Sequence, residues 1–162
     1  MFQLAEINVA TLRAPLTDPQ MADFVAALGP VNALADASPG FVWRLQDQYG
    51  AATEIRAFDD PLILVNLSVW ESIEALWAFT YRSHHLDIFK QRARWFARHN
   101  GPQLAMWWVR AGHLPTVEDG RARLESVARV GPSPFAFTFT SRFAPEVAWP
   151  HTPSPSTARP AQ

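Results

Sequence analysis

An α+β fold is the class this sequence predicts, and three features predict it. Period-two alternation recurs at residues 3–11, 41–47 and 62–70, the pattern of strands with two unlike faces. Segments of helical spacing, opened by capping residues, stand between those strands. The 162 residues are 48% hydrophobic and 18% charged, enough to bury the core of one domain. In chain order the core elements read β-α-β-β-α-β, the ferredoxin-like sandwich, followed by an extra helix and strand.

The first strand places Ala5, Ile7 and Val9 on one face and Leu4, Glu6 and Asn8 on the other. Asp18-Pro19 then opens a helix: the carboxylate can accept from free N–H groups, and proline suits the first helical position. Met21, Phe24, Val25, Leu28 and Val31 carry it to about Ala37, with a kink expected at Pro30, which donates no backbone hydrogen bond. Ser38-Pro39-Gly40 turns into the second strand, residues 41–47, where Val42, Arg44 and Gln46 face away from Phe41, Trp43 and Leu45. Residues 53–58 fit a short returning strand.

Residues 62–70 carry the strongest strand pattern, with Leu64, Asn66, Ser68 and Trp70 opposite Ile63, Val65, Leu67 and Val69. Ser72 caps the next helix, which resumes after Ser83 and is expected to run to about His99, before Asn100-Gly101-Pro102. Residues 103–111 read as a strand, residues 116–130 as a polar helix capped by Thr116, and residues 135–140 as a last short strand. The domain is assigned to residues 1–144. Residues 145–162, with five prolines among Ser and Thr, have too little to bury and are expected to be a disordered tail. In a sandwich of this kind one sheet face is left without helices. A bare face bearing Asn66, Ser68, Trp70, Met106 and Trp108 would need a partner to cover it.

Composition narrows the function. Lys and Arg number 14 against 15 Asp and Glu, a net charge of -1, which points away from nucleic acid and anionic membranes. The absence of cysteine excludes disulfides, thiolate catalysis and cysteine-ligated metals. No stretch approaches the ~20 apolar residues that span a bilayer, and no secretory signal is visible, so a cytoplasmic location is expected. Gly-rich phosphate loops, a nucleophile elbow and a dinucleotide fingerprint are all missing. Seven Trp and eleven Phe suit either a core of large residues or an apolar ligand pocket.

The second helical region carries the most chemistry. Tyr81, His85, Ile88, Arg92 and Trp95 recur at steps of four and three and form one stripe, mixing an imidazole, a phenol and a guanidinium with apolar residues. His85 is the candidate acid or base near neutral pH; it equally fits a half-buried residue that binds a carbonyl near Ser83. His84 lies about 100° around the helix from it, so no metal site is expected. Glu6 with Asn8, Arg44 with Gln46, and Asn66 with Ser68 occupy the polar faces of their strands. They would converge in a cavity if those faces coincide, or meet water or a partner if not. Trp107 and Trp108 must point to opposite faces, so one is core and the other lies on the open face.

At these residues the chain resembles a family of bacterial proteins known as domain of unknown function 3291. The matching segments are Leu4-Ala5-Glu6-Ile7-Asn8, Phe41-Val42-Trp43-Arg44-Leu45, residues 65–72, Tyr81-Arg82-Ser83 followed by His85, Trp95-Phe96, and Trp107-Trp108-Val109 with Gly112-His113. The likeness spans roughly residues 2–140, and Pro30 departs from the pattern. It implies the dimeric α/β-barrel superfamily, in which two ferredoxin-like subunits pack sheet to sheet. Members of that superfamily include cofactor-free monooxygenases, polyketide cyclases, isomerases and haem proteins.

The expectation is therefore a homodimeric small-molecule enzyme acting on an apolar, aromatic or polyketide-like compound without a bound cofactor. His85 would be the acid or base, and Arg44 and Asn66 would hold a developing oxyanion. Glu6, Asn8, Ser68, Trp70, Tyr81, Arg92, Trp95 and Trp108 would bind substrate. Two alternatives stand beside it: a haem protein with His85 as axial ligand, and a protein that binds a small ligand without transforming it.

Overall fold

The strand β1 (Phe2–Leu12) organises the sheet, since its eleven residues take partners along both edges. A computed structural model describes residues 1–48, 51–82 and 90–149. After β1 come a short 3-10 turn (Pro19–Met21), α1 (Ala22–Asp36), β2 (Phe41–Arg44), β3 (Ile63–Trp70) and α2 (Ile73–Arg82). They are followed by α3 (Arg92–Trp95), β4 (Phe96–Ala97), β5 (Leu104–Arg110), α4 (Val117–Val130) and α5 (Pro145–Ala148). On one side β1 pairs with β3, and β3 with β2; on the other, β1 pairs with β5 near its start and with β4 at its end. All these pairings are antiparallel, and the connections give the ferredoxin-like β-α-β-β-α-β sandwich with its added C-terminal helix.

One face is wholly apolar. Ala5, Ile7 and Val9 of β1 meet Val65, Leu67 and Val69 of β3 and Ala105, Trp107 and Val109 of β5. Helix α4 closes this face with Leu124, Val117 and Val127. A Cβ on Gly120 would stand 2.5 Å from Ile7 Cδ1, so the absence of a side chain there is what lets α4 approach β1. The helix starts on a capping box in which Thr116 accepts from the Asp119 N–H and Asp119 accepts from the Thr116 N–H. Those hydrogen bonds from Thr116, the backbone one first, hold the Asp119 carboxyl below its ordinary range.

The opposite face carries Leu4, Glu6, Asn8 and Leu12, and the chain covers it with its own helices. Over one end, Ile73 and Leu76 of α2 pack on Leu4, Trp70, Met106 and Phe137. Over the other, Phe24 and Leu28 of α1 pack on Leu12, Leu64, Trp95 and Phe96. Trp70 is 1% exposed and Met106 0%. The face expected to be bare is therefore closed within the chain, because α1 and α2 turn their apolar residues toward it and leave the other face to α4.

Several boundaries differ from the expectations. Asp18 caps the 3-10 turn through a 2.9 Å bond from the Gln20 N–H, and α1 continues through Pro30 to Asp36. β2 ends at Arg44, and residues 53–58 form no strand. The Asp47 carboxylate instead accepts from the backbone N–H groups of Ala51 and Glu54 at 3.3 and 3.2 Å, which replaces ladder bonds with a turn. The second helical region ends at Trp95 and not at His99, since Phe96 and Ala97 pair with Leu12 and Thr11. Residues 135–140 make isolated bridges, chiefly Phe137 with Met106 through two 2.8 Å bonds, instead of a strand. Of the segment from residue 145 onward, Pro145–Ala148 form a helical turn, and the Trp149 ring stacks on Phe2 at 6.3 Å. Residues 150–162 lie outside the described residues.

Candidate functional site

Strand register assembles the site. Because Glu6 faces Ser68 on β3 and Met106 on β5, while Ser68 faces Arg44 on β2, one row across four strands reads Met106, Glu6, Ser68, Arg44. Beneath it lies a second row of Leu104, Asn8 and Asn66, and above it one of Trp108, Leu4, Trp70 and Phe41. Period-two alternation sends the side chains of β1, β3 and β5 to the same face. A register shift between Phe41 and Trp43 brings both Phe41 and Arg44 to it, so Phe41 does not share a face with Trp43 and Leu45 as expected. A polar patch of Glu6, Asn8, Asn66 and Ser68 is thus framed by large apolar residues.

Glu6 is the centre of that patch. Only 3% of its surface is exposed, yet it lines a cavity of about 840 Å³ between this sheet face and helices α1 and α2. The Asn8 side-chain amide donates to Glu6 Oε1 at 2.7 Å, and the Ser68 hydroxyl donates to Oε2 at 3.0 Å. Ser68 Oγ in turn accepts the Trp70 indole N–H at 2.9 Å. Burial dominates the electrostatics: it pushes the carboxyl from its ordinary 4.5 up to about 7, and the bonds from Asn8 and Ser68 oppose the rise without cancelling it. A carboxyl that titrates near neutrality at a cavity wall can take up and return a proton at working pH.

The other expected residues divide into groups. Asn8, Arg44, Asn66, Ser68, Trp70, Tyr81 and Arg92 all line the same cavity as Glu6. Asn66 is exposed to it. Arg44 is held in place by Asp36, the last residue of α1, with Nε to Oδ1 at 2.8 Å and Nη2 to Oδ2 at 3.2 Å. Trp95 is not among the lining residues; it is 2% exposed and packs on Phe24 at 5.6 Å. Nor is Trp108, whose indole N–H donates to the Phe143 carbonyl at 2.7 Å and whose ring lies 6.2 Å from Phe137. His84 and His85 lie outside the described residues, so the stripe from Tyr81 to Trp95 is described only at its two ends.

Three cavity residues were not singled out from the sequence. Arg13 lies just past β1, Arg98 just past β4, and His99 binds Thr11 Oγ1 through Nδ1 at 2.9 Å. A helix expected through residue 99 takes in Arg98 and His99 and hides their place beside β1, while Arg13 lies beyond the alternating residues 3–11. The signal available was the Phe96-Ala97 pair followed by Arg98 and His99, a two-residue strand too short for period-two reading. Among the described residues no group of three His, Cys, Asp or Glu is placed to hold a metal ion, and no helix is long and apolar enough to cross a membrane.

Comparison with known proteins gives a family match and a set of fold relatives. Residues 3–152 match the family described as domain of unknown function (DUF3291). No curated protein matches the chain. Similar solved structures include a protein of unknown function, NE2512, from Nitrosomonas europaea, 18% identical over 72% of this chain and 97% of that one, with a TM-score of 0.46. Another is SnoaB, a cofactor-independent oxygenase from Streptomyces nogalater, 17% identical over 70% of this chain and 97% of that one, TM-score 0.44. A third is Rv0793 from Mycobacterium tuberculosis, 16% identical over 70% of this chain and 99% of that one, TM-score 0.44.

Proposed function

The chain belongs to the DUF3291 family, a premise that names no reaction, and from its site we propose that it is a small-molecule enzyme working by proton transfer. Glu6 is the general base. It removes a proton from a weakly acidic C–H or O–H of an apolar, aromatic substrate seated in the cavity, and it needs no bound cofactor for that step. The observation that carries the reading is a carboxyl buried to 3% exposure, raised to about 7, and placed on the wall of an 840 Å³ cavity. Efficient general bases have pKa values near the operating pH.

Glu6 gains the proton and the substrate keeps the electron pair as an enolate or phenolate. Asn66, exposed in the next row, and Arg44, at the end of the Glu6 row, supply N–H donors for that oxyanion. Trp70, Phe41 and Phe79 offer aromatic surface around it; Trp70 and Phe79 stack at 5.1 Å. Isomerase, cyclase and oxygenase outcomes share this deprotonation and diverge at what the carbanion meets next. The homodimer implied by the superfamily resemblance is kept as part of this reading, and sedimentation of the purified protein tests it.

Solvent exchange tests the base directly. With an aryl ketone such as 2-tetralone in D2O, the wild-type protein is expected to catalyse deuterium incorporation beside the carbonyl, faster as pH rises through 7. Glu6→Gln should abolish it. Catalysed exchange that survives in Glu6→Gln would overturn the assignment.

A further inference from the structure

The charge around the cavity is lopsided in a chain that is close to neutral overall. Among the described residues that line it, Arg13, Arg44, Arg92, Arg98 and His99 are basic and Glu6 is the one acid. The chain as a whole has 14 Lys and Arg against 15 Asp and Glu. Asp36 offsets Arg44, which belongs to the Glu6 row. Arg13 and Arg98 gather at the other end, around the close of β1. Arg13 follows β1 and its Nε donates to the Ala93 carbonyl at 3.0 Å, while Arg98 follows Ala97, the partner of Thr11. His99 binds Thr11 itself.

The distance between the two ends says something about the ligand. Glu6 and Thr11 are five residues apart on one extended strand, roughly 17 Å at about 3.3 Å per residue. Phe24, Leu28, Leu64 and Phe96 line the interval with apolar surface. The cavity of about 840 Å³ leaves room along that interval for a fused polycyclic skeleton, which would reach both ends at once.

We propose that the cavity takes an anionic polycyclic aromatic ligand, its carboxylate or equivalent anionic group held by Arg13 and Arg98 and its acidic C–H or O–H presented to Glu6. This deepens the reading of Glu6 as the base and rests on it for the orientation of the ligand. Guanidinium groups match carboxylates through paired N–H donors. The same end charge would draw an anionic ligand toward the mouth and hold its reactive end away from solvent.

The test is binding without turnover. Titrations of the wild-type protein with 2-anthracenecarboxylate and with its neutral isostere 2-anthracenecarboxamide, read by tryptophan fluorescence, should give about tenfold tighter binding of the carboxylate. The gap should narrow with added salt. In the Arg13→Gln/Arg98→Gln double variant it should fall to about twofold or less, with the carboxamide unchanged. Arg98→Gln alone, expected to be intermediate, replaces the double variant if that protein does not fold. Equal binding of the two compounds, binding of neither, or a preference that survives the arginine substitutions and is insensitive to salt would overturn the proposal. The Glu6→Gln protein should keep the carboxylate preference. Exchange that survives in Glu6→Gln beside an intact preference therefore counts against the base alone, and absence of the preference beside exchange that depends on Glu6 counts against the ligand class alone.

Discussion

Ser68 donates its hydroxyl to the Glu6 carboxylate at 3.0 Å, across the β1–β3 pair that places the two residues directly opposite each other. The same oxygen accepts the Trp70 indole N–H at 2.9 Å. One hydroxyl thus ties a buried carboxylate to a buried indole, and its loss acts on both.

Ser68→Ala removes a donor that favours the charged form of Glu6, so the carboxyl should titrate still higher than about 7. The acid limb of the exchange rate against pH should move up accordingly. The Trp70 N–H, on a side chain 1% exposed, would lose its partner, at a cost of about 1–3 kcal/mol in urea unfolding. A pH profile that stays in place would argue that Ser68 does not act on Glu6.

Glu6→Gln should stabilise the protein, and the sign follows from the raised carboxyl. In the folded state Glu6 titrates near 7, against 4.5 ordinarily, so the folded protein binds more protons than the unfolded chain between those values. Wild-type stability should therefore be highest below about pH 4.5 on this account, decline as pH rises to about 7, and level off above it, a loss of about 3 kcal/mol in all. The glutamine variant should lack this decline. Urea midpoints measured from pH 5 to pH 8 in both proteins check it.

Much of this arrangement was legible in the residues, and the limit lay where single-strand patterns must be combined. Alternation alone put Glu6 with Asn8 and Asn66 with Ser68 on the polar faces of their strands, and Thr116 marked the start of α4. What alternation does not contain is cross-strand register. Only the pairing of Glu6 with Ser68, and of Ser68 with Arg44, brings those three into one row. The covering of that row was likewise hidden, because helical spacing in α1 and α2 shows an apolar stripe without showing which sheet face receives it. Trp95 and Trp108 were placed at the cavity from their aromatic character. Trp95 is buried against Phe24, and Trp108 is half-buried against Phe137 and Phe143, contacts distant in sequence. Burial itself, which makes Glu6 a neutral-range acid, is a product of the assembled sheet and helices.

Gly120→Ala should destabilise the fold by about 1–3 kcal/mol, because the added methyl would fall 2.5 Å from Ile7 Cδ1 and force α4 off the sheet. Thermal unfolding measures the loss. Ile7 points away from the cavity face, so ligand affinity below the transition should be retained.

Trp108→Phe separates packing from chemistry. It deletes the bond to the Phe143 carbonyl while keeping an aromatic ring beside Phe137. The expected result is a loss of about 1 kcal/mol in stability, with exchange activity unchanged. Reduced exchange at full folding would place Trp108 in the substrate site after all.

The central claim is that Glu6 holds a proton near neutral pH, and a carboxyl titration by 13C NMR on protein labelled at the glutamate side-chain carboxyl tests it most directly. The account predicts one resonance titrating at about pH 7, absent from the spectrum of Glu6→Gln. If every glutamate resonance in the wild-type protein instead titrated between about pH 4 and 5, Glu6 would be an ordinary carboxylate and the proposed base would be contradicted.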